Sequence, residues 1–174
     1  SVVDLRVDPG RKADVVVTLI AREQRFALAS GRMVDGFTVN GTSPGPRIDA
    51  VQGQLVEVRV RNDSVGNGMT LHWHGVDVPN AEDGVAGVTQ DAIPVGGSHT
   101  YRFVGKRAGS YWYHSHQASH EQVRSGLFGA IVIRPAAPQP RDVLALTHVY
   151  DGKATVNGRD GGVVGRGIGR IDLL

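Results

Sequence analysis

From Val56 to Arg61 the chain alternates strictly, with Val56, Val58 and Val60 apolar and Glu57, Arg59 and Arg61 charged. Side chains of an extended strand point to opposite faces with period two, so this run predicts a strand with one face in a core and the other in water. The β-branched stretch at 13–21 predicts an earlier strand. A short run at 25–28 ends at the turn pair Ser30-Gly31. After Phe37-Thr38-Val39-Asn40-Gly41, the segment Ser43-Pro44-Gly45-Pro46 predicts an extended turn, because proline fixes φ and restricts the residue before it.

Asn62 to Gly68 interrupts the pattern, and an extended run resumes at 69–74. Residues 79–97 read as a long loop containing the acidic pair Glu82-Asp83, and loops of that length inside compact domains are often functional. Further strands are predicted around Tyr101 and Phe103, over 110–115 and over 126–133, with one or two helical turns at 118–123. Many short strands punctuated by glycine and proline imply an all-β sandwich or barrel.

The pattern then changes. Residues 135–140 read as a proline- and alanine-containing linker, and a fresh apolar strand is predicted over 142–149. Beyond it, Thr155-Val156-Asn157-Gly158 repeats letter for letter Thr38-Val39-Asn40-Gly41. A repeat placed after a linker and a strand is where a second copy of the fold would begin. The expected organisation is a first domain at 1–136, followed at 137–174 by a linker and the start of a second domain.

Composition narrows the chemistry. The 174 residues carry 19 Lys+Arg and 17 Asp+Glu, interleaved, for a formal charge of +2, which argues against nucleic acid as the main partner. No apolar run approaches a membrane span, and no basic-then-apolar signal segment opens the given chain. Cysteine is absent, which excludes disulfides, thiolate nucleophiles, iron-sulfur clusters and Cys-ligated zinc. A blue-copper centre, which needs a thiolate beside two histidines, cannot be built from this chain alone.

Four of the seven histidines fall in two i, i+2 pairs: Leu71-His72-Trp73-His74-Gly75 and Trp112-Tyr113-His114-Ser115-His116. On a strand that spacing puts both imidazoles on one face. Imidazole suits copper, zinc, iron and nickel, so two pairs brought together would make a transition-metal site. The lone His99 and His148 read as structural, because an isolated histidine supplies only one of the ligands a metal needs. His120 is expected at the surface or in a local hydrogen bond.

With these motifs placed in order, the chain resembles the N-terminal cupredoxin-like domain of the multicopper oxidases, the family of laccases and copper-resistance oxidases. The resemblance runs through Asn40-Gly41, Pro44-Gly45-Pro46, the valine-rich strand, both histidine pairs, Asp83-Gly84, Thr89-Gln90, Ile93-Pro94, Tyr101-Arg102-Phe103 and Gly126-Leu127-Phe128-Gly129. It implies a Greek-key β-sandwich of cupredoxin type. In that family eight histidines, four from this domain and four from the last, hold a three-copper cluster at the domain interface. By motif, the resemblance implies that His72 is a ligand of the type 2 copper and that His74, His114 and His116 are ligands of the type 3 pair. Asp83 sits where the family has an acidic residue supporting the ligands; its bland alternative is an Asp-Gly turn.

The resemblance further implies that O₂ is reduced to water while a phenol, amine or metal ion is oxidised. It also implies that the missing ligands come from the remaining cupredoxin domains or another protomer, and that the protein is secreted, periplasmic or in the cell envelope. The family's downstream His-x-x-His-x-His and His-Cys-His motifs do not occur here, so the chain alone is expected to be inactive. A stand-alone copper-binding module without turnover is the alternative. A zinc hydrolase fits less well, since no glutamate base is placed by motif.

Overall fold

The computed structural model describes residue 7 and residues 9–137, 143–161 and 171–173. The strands, in chain order, are β1 (Val15–Glu23), β2 (Phe26–Ala27), β3 (Met33–Val34), β4 (Phe37–Val39), β5 (Gly45–Val51), β6 (Leu55–Asn62) and β7 (His72–His74). They continue with β8 (Ser98–Val104), β9 (Gly109–His114), β10 (Phe128–Arg134), β11 (Val143–Ala145), β12 (Thr147–Tyr150), β13 (Lys153–Val156) and β14 (Ile171–Leu173). One short helix, α1 (Ser119–Arg124), lies between β9 and β10.

Two four-stranded sheets form the body, ordered β4-β1-β6-β8 and β5-β10-β9-β7. Both remain open, which decides for the sandwich over the barrel. β1 pairs parallel with β6, and β5 parallel with β10, so the chain crosses between sheets rather than running as a simple meander. Val56, Val58 and Val60 are buried as the alternation predicts, and they join Leu19, Trp73, Tyr101, Phe103, Tyr113 and Ile131 in one core between the sheets. The outer face of β6 carries surface ion pairs, Glu57–Arg59 at 2.7 Å and Arg61–Asp63 at 2.6 Å. These are the interleaved charges of the sequence, and such exposed pairs contribute little stability.

The extended run at 69–74 differs from its prediction: only His72–His74 is a sheet strand. The Leu71 N–H donates to the Tyr101 hydroxyl at 2.9 Å, and Met69 makes an isolated bridge with Ile93. Residues 69–71 therefore meet a side chain and a loop instead of a neighbouring strand. Gly84 allows that loop its approach. At its φ of +71°, a Cβ there would sit 1.7 Å from the Leu71 carbonyl oxygen.

Residues 138–142 of the expected linker and strand start lie outside the described residues, as does 162–170. The expected strand beyond them is split into β11 and β12 at Leu146. Leu146 and Tyr150 pack with Phe26, Leu28, Val34 and Phe128 in a second apolar cluster. The four-letter repeat is a structural repeat. Asn40 has φ of 52° and Gly41 81°; Asn157 and Gly158 have 51° and 76°. Asn40 accepts from Ile20 N at 2.7 Å and donates to Thr18 O at 2.9 Å. Asn157 does the same with Leu146 N and Leu144 O, at 2.9 and 2.8 Å. Asparagine tolerates this left-handed backbone, and its amide locks each turn onto the strand behind it.

Candidate metal centre

β7 is the edge strand of the second sheet and pairs antiparallel with β9, with His72 opposite His114 and His74 opposite Trp112. Alternation sends Trp73 and Tyr113 into the core, both fully buried, and leaves His72, His74, Trp112 and His114 on the outer face. One nitrogen from each of His72, His74 and His114 lies within 4.8 Å of the others. The Nδ1 of His74 and Nε2 of His114 are 3.3 Å apart.

His116 lies past the end of β9, so its orientation is set by a turn rather than by strand alternation. Its backbone N–H donates to Thr70 Oγ1 at 3.3 Å. Its ring lies 5.3 Å from that of His72 and 6.1 Å from that of His114, adjacent to the group of three but not within it. A buried bond from Ser115 Oγ to Gln122 Oε1, with Gln122 Nε2 donating to Gly68 O at 2.8 Å, ties this turn to α1.

Two of the clustered histidines are held from behind by backbone. His72 Nδ1 donates to the Asp83 carbonyl at 2.8 Å, which directs Nε2 outward as an acceptor. His114 Nδ1 donates to the Ser115 carbonyl at 2.9 Å, with the same effect. Fixing one ring nitrogen in this way sets the tautomer and orientation of a ligand histidine. The Asp83 carboxylate is also close, its Oδ1 3.3 Å from His72 Nδ1. Trp73 Nε1 donates to the Glu82 carbonyl at 2.9 Å, and the buried Glu82 carboxylate accepts from Arg102 N at 2.8 Å. The 80–83 turn that supports His72 is therefore anchored in the core.

Burial pushes the His114 imidazole down to about 4, and neighbouring His72, His74 and His116 add to that, while the Ser115 carbonyl acts in the opposite direction. The ring is thus neutral, with a lone pair available, at neutral pH. In the metal-free chain the contribution of His114 to stability should be intact above pH 6.5, the ordinary value for histidine, and should be lost as pH falls from there towards 4. In that window unfolded His114 binds a proton and folded His114 does not. His148, also lowered by burial, acts in the same direction. Urea midpoints across this range should slope less for His114→Gln than for the native chain; equal slopes would remove His114 from the explanation.

Imidazole nitrogens converging without a thiolate fit copper or another imidazole-loving ion. The cluster opens into a cavity of about 900 Å³, also bordered by Trp112, α1 and the β12–β13 turn. His120 is exposed on α1 and faces this cavity. His148 borders it too, with Nε2 donating to Arg124 O at 3.0 Å. His99 lies on β8 against Tyr101, apart from the cluster.

The family profile described as multicopper oxidase matches residues 21–138. This chain belongs to the multicopper oxidase family. It is 39% identical over 111 residues to the copper resistance protein A homolog of Pseudomonas syringae pv. tomato, covering 64% of the chain and 18% of that protein. It is 47% identical over 106 residues to laccase-1 of Botryotinia fuckeliana, covering 60% of the chain and 18% of the laccase. The chain thus spans less than a fifth of either relative. Its fold matches a multicopper oxidase structure from Pseudomonas thermotolerans with a TM-score of 0.77 at 26% identity, over 85% of the chain and 42% of that structure. The cupredoxin-like sandwich is thereby shown, and copper is the family's metal.

The sequence reading missed Trp112. Its indole stacks on His114, with ring centroids 4.1 Å apart, and on His74 at 5.0 Å. Its i−2 position relative to His114 was the available signal, since it places Trp112 on the histidine face.

Proposed function

We propose that this chain is the first domain of a multicopper oxidase, residues 1–136, followed from 137 by a linker and the start of a second cupredoxin-like domain. In this reading it supplies half of the histidines of a trinuclear copper cluster. The observation that carries the proposal is the convergence of His72, His74 and His114 at an outer sheet edge, facing an open cavity. His72 serves the type 2 site; His74, His114 and the adjacent His116 serve the type 3 pair. Four imidazoles cannot saturate three coppers, so the face needs the rest of the protein, or another protomer, to complete it.

Copper bound there supplies the one-electron chemistry by which O₂ is reduced to water while a phenol, amine or metal ion is oxidised. The chain's own residues hold and orient. The Asp83 and Ser115 carbonyls keep His72 and His114 in the tautomer that presents Nε2. The Asp83 carboxylate, beside His72, is suited to carry protons at Oδ1. The fold contains no helix among the described residues long and apolar enough to cross a membrane. Function outside the cytoplasm, in a secreted or periplasmic protein, fits the relatives' copper resistance and laccase roles.

Oxygen-electrode assays with a phenolic donor test this reading. The copper-loaded chain alone should consume no oxygen, and the product of the full gene, carrying the remaining domains, should do so. Robust turnover by the chain alone would overturn the assignment. Copper binding with no activity in any longer context would favour a stand-alone copper-binding module.

A further inference from the structure

His72 and His114 are each fixed by a backbone carbonyl behind the ring, but His74 has no such anchor among the described contacts. It is also the most exposed of the three. An exposed histidine with a free χ2 samples many orientations, and all but a few point its nitrogen away from a shared ion. Even so, His74 Nδ1 lies 3.3 Å from His114 Nε2. Of the rings against it, Trp112, its direct cross-strand partner, is nearer than those of His114 and His72. The indole and the His74 ring are 5.0 Å apart and 30° from parallel, and the same indole is 4.1 Å and 29° from the His114 ring.

We propose that Trp112 is a positioning residue for the histidine cluster, its indole face holding the His74 and His114 rings so that their nitrogens converge on one metal ion. The proposal rests on the metal-site reading given above and extends it to a residue that does not itself ligate. Two physical effects combine. The flat indole restricts rotation of His74, so less freedom is lost when a metal binds. An imidazole that shares its lone pair with a cation gains positive character, which the negative face of an aromatic ring favours. Both effects need a plane at position 112, and bulk alone supplies neither. Position 112 is geometrically suited to this: register places it opposite His74, and strand period places it on the face of His114.

The test is metal titration of the full chain with copper(II) and zinc(II), by calorimetry, comparing the native protein with Trp112→Leu and Trp112→Phe. Loss of a group that orients metal ligands weakens binding by about 10- to 100-fold, and Trp112→Leu should fall in that range. Trp112→Phe, which keeps a ring face, should recover to within a few-fold of native. Native-like affinity in Trp112→Leu overturns the proposal. So does equal weakening in both variants, since that would make the effect one of fold or volume. Failure of the metal-site reading itself is distinguishable, because the native chain would then show no tight site for any variant to weaken.

Discussion

Replacing Trp73 with alanine is expected to destabilise the domain by about 3–5 kcal/mol, the range for deleting a large aromatic from a packed core. A domain of this size has only about 5–15 kcal/mol in total, so the variant should be marginal at 37 °C. Trp73 is fully buried, and its ring centroid lies 4.7 Å from that of Phe103 and 5.3 Å from that of Tyr101. Alanine leaves a cavity that these rings cannot collapse to fill. It also removes the indole bond to the Glu82 carbonyl, which holds the turn whose next residue, Asp83, orients His72. The substitution should therefore lower metal affinity even under conditions where the variant is folded. Urea denaturation followed by copper titration at low temperature measures both effects. A loss below 1 kcal/mol, or native affinity in the folded variant, would show that core and site are not coupled through this residue.

The His-Trp-His triplet thus does two jobs on one short strand. Its first and third residues face outward into the histidine cluster and its middle residue faces the core, so strand alternation itself ties the stability of the core to the geometry of the proposed metal site. The same alternation made the histidine face legible from sequence. Val56, Val58 and Val60 were read correctly for the same reason: burial on one sheet face leaves a period-two signal in a single strand.

What the sequence could not reveal depends on partners distant along the chain. Sandwich and barrel have the same strand pattern, and closure is a property of which strands pair. The 69–71 segment looks like the rest of its strand, but it meets the Tyr101 hydroxyl and a loop instead of a neighbouring strand. Asp83 was singled out for its carboxylate, and the shorter contact to His72 comes from its carbonyl, a group that every residue carries. Trp112 was visible only as a strand residue, because its contact with His74 follows from cross-strand register. The second histidine pair was read as sharing one strand face; β9 ends at His114, and His116 reaches its place by the turn tied to Gln122. The Thr-Val-Asn-Gly repeat went the other way. Four letters are weak evidence, but Asn40 and Asn157 make the same two hydrogen bonds to the strand behind them, so each copy records a local physical solution.

The second large effect concerns the proposed ligands themselves. His72 and His114 face each other across β7 and β9, and together they supply two of the three nitrogens that converge within 4.8 Å. Removing both leaves only His74 of the converging three, with His116 outside that group, and such a remnant does not hold a transition metal tightly. His72→Ala with His114→Ala should therefore abolish tight copper uptake. The fold should survive, because the core side of both strands is carried by Trp73 and Tyr113, which are unchanged. The decisive measurement is copper per chain, by metal analysis after exhaustive dialysis, on the native protein and the double variant, with thermal melting to confirm that both are folded. The account predicts bound copper in the native chain and background copper in a folded double variant; unchanged stoichiometry in that variant would contradict it.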